Sequence, residues 1–248
     1  MSKTKTYFAS DFHLGVPRHA ESLKREKKIT SWLDEIKEDA KSIYLLGDIF
    51  DFWFEYKAVV PKGFVRLLGK LAELSDSGTN IFIIKGNHDL WMHDYLPKEV
   101  GVQIIKDKTI LNENGKKIFL AHGDGLGPGD FGYKIIKKVF ANKVCQWLFS
   151  RLHPNFGFSI AQFWSKRSRI ENNKNDEHFL GEEKEWLVSY CKEKQKENPM
   201  DYYIFGHRHL PLEIEIDIKV KYINLGDWVN HNSYAVFDGE SVMLEYFN

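Results

Sequence analysis

Cysteine is scarce in this chain: Cys145 and Cys191 are the two among 248 residues, and neither has CxxC or disulfide-framework spacing. A stapled secreted fold is therefore excluded, and the pair reads as buried or incidental thiols in a reducing cytosol. Long apolar runs are also missing, since no stretch approaches the roughly eighteen residues that span a bilayer. The N-terminus passes from polar MSKTK straight into a strand-like run, which leaves no room for a signal peptide. Net charge is absent as well. Thirty-five Lys and Arg balance 35 Asp and Glu, so overall charge argues for neither a nucleic-acid nor a membrane partner. There is no internal repeat and no low-complexity linker. The expectation is a soluble cytoplasmic protein forming one domain over 1–248, large enough to bury a substantial core.

What is present is a recurring pattern. Five apolar runs, TYFA, SIYLL, NIFII, KIFLA and YYIF, each end in a turn rich in Asp, Asn or His. The turns read SDFH (Asp11, His13), GDIFD (Asp48, Asp51), GNHD (Asn87, His88), HGD (His122) and GHRH (His207, His209). Strands that end together place such turns on one sheet edge, where open α/β folds bind ligands. Residues nearly two hundred positions apart can thus converge.

Periodicity fills in the rest. A strand is expected at 5–10 and a helix near 21–39, with Ile29, Trp32, Leu33 and Ile36 on one face. A strand at 42–46 and a helix near 62–76 follow, the latter turning Phe64, Leu67, Leu68, Leu71 and Leu74 inward. Then come a strand at 80–85 and two strands within 102–121 joined at Asn114-Gly115, a hairpin signal. A helix near 181–196 and a β-rich end carrying YINLGDW at 222–228 and a turn at Asp238-Gly239 complete the chain. Alternating strands and helices followed by consecutive strands imply layered sheets with outer helices, a mixed α/β (α+β) class.

Residues 131–170 break this rhythm. They hold eight cations and nine aromatics but no Asp or Glu, and Pro154 and Gly157 are expected to separate two short helices. A helical cap insertion over 131–178, or a membrane-surface element, suits that composition. A core-packing hairpin with a solvated basic face is the plain alternative.

His and carboxylate donors without cysteine suit Mn²⁺, Fe²⁺ or Zn²⁺. The motif histidines stand out because each sits in a strand-end turn that holds Gly, Asn or Asp, whereas His19, His93, His153, His178 and His231 lack that setting and are not assigned as ligands. Glycines at 47, 86, 123 and 206 let the backbone turn beside an ion. Asp89 and Asp124, which follow candidate ligands, are expected to support the turns rather than coordinate.

Together these motifs closely resemble the calcineurin-like metallophosphoesterase superfamily, whose pattern is DxH, GDxxD, GNHD/E, a His-bearing turn and GHxH. The resemblance covers about residues 5 to 230. It implies a two-layer β-sandwich flanked by helices, with two divalent metals at one edge, manganese being expected and iron or zinc possible alternatives. Carried over, one metal takes Asp11, His13 and His209, the other takes Asn87, His122 and His207, and Asp48 bridges them. His88 then stabilises the transition state or protonates the leaving oxygen, and Asp51 orients His88 through a hydrogen bond or, alternatively, caps a turn. The implied reaction is hydrolysis of a phosphorus–oxygen bond.

The text HGDGLGPGDFGYK, the basic insertion, KRSR at 166–169, NLGDW and the DFW after GDIF look similar to the UDP-2,3-diacylglucosamine diphosphatases of lipid A biosynthesis. That resemblance implies a UDP-linked diacylated glucosamine lipid as substrate, released as UMP and a lipid 1-phosphate, at the cytoplasmic face of the inner membrane. Substrate contacts implied by it are Asn87, His88, Asp130, Tyr133, Ser168, Arg169, Lys174 and His207. The chain departs from that family in reading GNHD where GNRD is usual and GHRH where GHTH is common. A soluble metallophosphatase, nucleotide hydrolase or phosphodiesterase of the same superfamily is the alternative. A non-catalytic nucleic-acid or membrane module is disfavoured by neutral charge and the intact donor set.

Overall fold

The computed structural model describes residues 3–127, 131–176, 178–179 and 181–248, without the side chains of 131–133, 135–136 and 166–176. Two sheets face each other, with helices on their outer sides. The first sheet has the order β11-β10-β1-β2-β3-β4. Its strands are β1 (Lys5–Ala9), β2 (Ala40–Leu45), β3 (Asn80–Ile84), β4 (Gln103–Ile105), β10 (Ser233–Phe237) and β11 (Val242–Tyr246). The second has the order β5-β6-β7-β9-β8, from β5 (Lys108–Glu113), β6 (Lys116–Ala121), β7 (Tyr202–Phe205), β8 (Pro211–Asp217) and β9 (Val220–Leu225). β1 to β4 run parallel, as do β6, β7 and β9.

The period-2 alternation of β1 divides the core. Tyr7 and Ala9 pack against the helical layer, while Phe8 joins Ile118, Leu120 and Ile204 between the sheets. Helices α1 (His19–Ile36) and α2 (Val65–Asp76) cover the first sheet, and α6 (Trp186–Glu197) covers the second. The buried stripe of α1 extends the expected Ile29, Trp32, Leu33 and Ile36 backwards to Arg25 and Ser22.

Some expected boundaries move for identifiable reasons. The α2 helix starts at Val65 rather than near 62 because Gly63 and Phe64 both have positive φ, 110° and 57°. Of its expected inward residues, Leu67, Leu71 and Leu74 are fully buried, and Phe64 and Leu68 pack partly. Residues 102–121 hold three strands rather than two. β4 leaves to pair in parallel with β3, while β5 and β6 form the Asn114-Gly115 hairpin in the other sheet. The insertion forms three helices, α3 (Phe131–Ala141), α4 (Lys143–Phe149) and α5 (Pro154–Asp176). Asn142 starts α4 by accepting from the Val144 and Cys145 amides. Pro154 opens α5, a position where its missing N–H is harmless, and Gly157 lies inside that helix instead of separating it. Among the described residues no helix is long and apolar enough to cross a membrane.

Candidate metal centre

All five turns meet at one edge, at the C-terminal ends of β1, β2, β3, β6 and β7. Main-chain hydrogen bonds lace neighbouring turns: Leu46 N to Ala9 O at 2.7 Å, Asp11 N to Gly47 O at 3.0 Å and Gly206 N to His122 O at 2.9 Å. Side chain joins sheet to sheet where the His207 amide donates to Asp11 Oδ2 at 2.9 Å. Four expected ligands carry left-handed backbone: Asp11, His13, Asp48 and His207 have φ of 55°, 43°, 53° and 66°. Each such residue costs of order 1–3 kcal/mol, and such strain collects at functional sites. The glycines serve two purposes. Gly47 and Gly123 have positive φ, whereas Gly86 and Gly206 provide space. A Cβ on Gly206 would lie 2.6 Å from Asp11 Oδ2, and one on Gly86 would collide with the Asp48 carboxylate.

Two donor clusters result. In the first, His13 Nε2 lies 3.0 Å from His209 Nε2, and Asp11 Oδ1 lies 3.6 Å and 3.3 Å from those nitrogens. In the second, Asn87 Oδ1 lies 3.0 Å from both His122 Nε2 and His207 Nδ1. Asp48 stands between them, with Oδ2 at 3.7 Å from His13 Nε2 and 3.4 Å from His122 Nε2. Every expected ligand is thus brought to the same place.

The donor chemistry fits cations. The Nε2 atoms of His13 and His209 converge to 3.0 Å, and buried Asp11 Oδ1 beside them has no hydrogen-bond donor, an orphaned acceptor that a cation would satisfy. His122 Nδ1 faces the Leu46 carbonyl at 2.7 Å; a carbonyl only accepts, so Nδ1 holds the hydrogen and Nε2 turns toward Asp48 and Asn87. Without metal the carboxylates recruit protons instead. Burial alone would lower His13, but Asp11, Asp51 and Asp48 raise it to about 10. Burial likewise opposes, and Asp48 overcomes, the rise of His122 to about 10. Asp11 and Asp48 are held well below the carboxylate range despite burial, by His13 and His209 and by His122 and His88 respectively. His207 is pushed down to about 4 by burial and by the charge on His122. Ligands of this kind bind metal as their protons leave.

His88 and Asp51 are joined by a hydrogen bond that runs through the Asp51 main chain. His88 Nδ1 lies 3.0 Å from the Asp51 main-chain carbonyl, while the carboxylate Oδ1 stands 3.8 Å away. The Asp51 amide is tied to Leu14 O at 2.9 Å, and its carboxylate faces His13 Nδ1, 3.6 Å off. Asp89 holds turns, as expected, accepting from the Ile49 and Gly86 amides at 2.8 Å each. Asp124 pairs with Lys137 of α3 at 2.7 Å. Asp130, and the side chains of Tyr133, Ser168, Arg169 and Lys174, lie outside the described residues.

Several supporting residues escaped sequence reasoning. Arg25 donates to the carbonyls of Phe12, His13 and Val16, pinning the first turn from α1; a charged residue on the buried stripe of α1 was the available signal. Arg208, between His207 and His209, forms a bidentate buried pair with Glu185 at 3.1 and 3.3 Å and donates to His178 O. Asp227 in NLGDW takes the amides of Asn230 and His231 and lies 3.9 Å from His209 Nδ1. Nothing in local sequence points to the last two contacts.

Comparison with known proteins agrees with this geometry. The sequence profile described as calcineurin-like phosphoesterase matches residues 4–211. A UDP-2,3-diacylglucosamine hydrolase of Porphyromonas gingivalis is 40% identical over 98% of this chain and 97% of the relative. Proteins of that name from Shewanella sp. and Histophilus somni are 27% identical over 97% and 28% identical over 90% of this chain, covering 96% and 92% of their own lengths. Its Asp and His cluster binds divalent metal, and the chain belongs to the calcineurin-like phosphoesterase family as a metal-dependent hydrolase.

Proposed function

We propose that this chain hydrolyses the diphosphate of UDP-2,3-diacylglucosamine, releasing UMP and 2,3-diacylglucosamine 1-phosphate. The observation that carries this reading is the 40% identity to a UDP-2,3-diacylglucosamine hydrolase over nearly the full length of both chains. In this reading two cations, manganese by preference, are held by Asp11, His13 and His209 and by Asn87, His122 and His207, with Asp48 shared. When bound, they lower the pKa of water and offset charge on phosphoryl oxygens.

The chain's own groups supply orientation and proton handling. Asp48 Oδ1 accepts the His88 amide at 2.9 Å, so the shared carboxylate also fixes the third turn. With its Nδ1 hydrogen committed to the Asp51 carbonyl, His88 turns Nε2 to the site, where it donates to the leaving phosphate oxygen only as the doubly protonated ring, a form that burial opposes. A departing phosphate needs charge stabilisation more than a proton; the arginine of the usual GNRD motif carries that charge permanently, whereas His88 supplies it only as imidazolium. Asp130, Tyr133, Ser168, Arg169 and Lys174 are assigned as further substrate contacts on sequence resemblance. The insertion 131–178 is read as the cap that receives the acyl chains, and the protein is placed on the cytoplasmic face of the inner membrane.

Purified protein assayed with manganese on UDP-2,3-diacylglucosamine, p-nitrophenyl phosphate and dinucleotides tests the reading. UMP release at a kcat/KM at least about 100-fold above the soluble substrates is expected, a margin of roughly 2.7 kcal/mol. Asp48→Ala should abolish metal-dependent turnover of all of them. Equal turnover of lipid and soluble substrates would assign the chain to a soluble phosphoesterase instead.

A further inference from the structure

A buried hydrogen bond between distant residues joins the cap to the second turn of the metal site. Ser165 Oγ on α5 donates to Asp51 Oδ2 at 2.7 Å across 114 positions of sequence, and both residues are buried, at 7% and 4% exposure. The other carboxylate oxygen, Oδ1, faces His13 Nδ1 at 3.6 Å. That nitrogen is buried without a hydrogen-bond partner, while Nε2 of the same ring points into the first donor cluster. A carboxylate behind a metal-ligating histidine fixes its tautomer and ring orientation. From 3.6 Å, a small rotation of the Asp51 carboxylate brings that nitrogen within hydrogen-bond reach or takes it further off.

The floor beneath the cap is the same loop. Phe52, next to Asp51, packs edge-on against Phe158 of α5 at 5.0 Å. Phe54 and Trp91, which follow the second and third turns, pack on Phe149 of α4 at 4.9 and 4.8 Å. Trp91 Nε1 also donates to the Phe140 carbonyl at 2.7 Å. Phe158 and Ser165 are seven residues apart and so share a face of α5, whereas Phe163 and Trp164 are exposed. Gly157 allows the close approach, since a Cβ there would stand 2.7 Å from the Tyr56 hydroxyl.

We propose that Ser165 is a positioning residue: its hydroxyl turns the Asp51 carboxylate toward His13, so that seating of the cap sets the geometry of the first metal cluster. The role deepens the phosphoesterase reading above and does not depend on which substrate fills the cap. Holding Oδ2 restricts rotation of the carboxylate and leaves Oδ1 directed at His13 Nδ1. A displaced cap removes the Ser165 donor from Oδ2.

Ser165→Ala, Ser165→Thr and Asp51→Asn, alone and combined, test this in the full-length protein. Readouts are manganese affinity of the metal-stripped chain by calorimetry, thermal unfolding, and kcat and KM on both the UDP-lipid and bis(p-nitrophenyl) phosphate. Expected for Ser165→Ala is a manganese affinity and a kcat each reduced about tenfold, with KM changed less than twofold and the diester affected as strongly as the lipid. Ser165→Thr should restore both values, and Ser165→Ala should add nothing in an Asp51→Asn background. Unchanged manganese affinity, a loss confined to KM for the lipid, or additive losses in the double variant would each overturn the proposal. Should Ser165→Ala unfold, the Thr variant and calorimetry on Asp51→Asn carry the comparison. Failure of the lipid as substrate would leave calorimetry and the diester assay intact, so the two readings fail separately.

Discussion

His13 and His122 hold the charge balance of the site in the absence of metal. Both are raised to about 10, against burial, by the neighbouring carboxylates, chiefly Asp11 and Asp51 for His13 and Asp48 for His122. A histidine whose folded pKa exceeds its unfolded value of about 6.5 stabilises fully below that value. Its contribution is lost as pH rises toward about 10. Metal-free protein should therefore lose stability between about pH 6.5 and 10, where cations compete with fewer protons. The gain in Tm on adding manganese should accordingly grow across that window. Scanning calorimetry at several pH values checks this, and a gain that shrinks with pH would contradict it. The same charges explain which motif residues were readable in advance. Asp, Asn and His beside glycine at strand ends announce a metal site, whereas Ser165 and Arg25 resemble ordinary helix residues until their partners are known.

At the scale of elements, the fifth turn is held from behind by α6. Arg208 and Glu185 form a buried two-point pair, each side chain 4% exposed, and Arg208 also reaches the His178 carbonyl. Breaking a buried pair from one side leaves a charge without its partner and costs about 3–5 kcal/mol. Arg208→Met should therefore lower unfolding free energy by that amount, and Arg208→Met with Glu185→Leu should recover most of it. Urea titration of the three proteins decides; a double variant no more stable than the single one would refute the argument. Element existence was legible wherever periodicity was strong, as in α1 and in the β5–β6 hairpin. The third strand within 102–121 was not, because three residues of β4 carry too little pattern to separate them from β5.

On the whole molecule, the insertion presents two opposed faces. Phe140, Phe149 and Phe158 pack inward on the loops of the site, while Trp147, Leu148, Phe163 and Trp164 are more than half exposed. Lys143 and Arg151 lie among the outer residues, and Arg151 stacks on Trp147 at 4.8 Å. Apolar rings with cations suit an anionic interface, where each basic residue adds about 1 kcal/mol. Cosedimentation with vesicles of anionic lipid should retain the protein, and Trp147→Ser with Trp164→Ser should reduce retention at least about tenfold. Equal retention by neutral vesicles would remove the electrostatic part of this reading.

The sequence by itself determined the strand-end turns rich in Asp, Asn and His, the layered α/β class and the acid-free, aromatic stretch 131–170, because residue type, spacing and periodicity are local quantities. Tertiary structure alone decided that the ligands of two sheets meet within hydrogen-bonding distance and that Asp51 meets His88 through its main chain. It also decided that Ser165 of α5 reaches Asp51, since contacts between residues more than a hundred positions apart depend on how the layers pack.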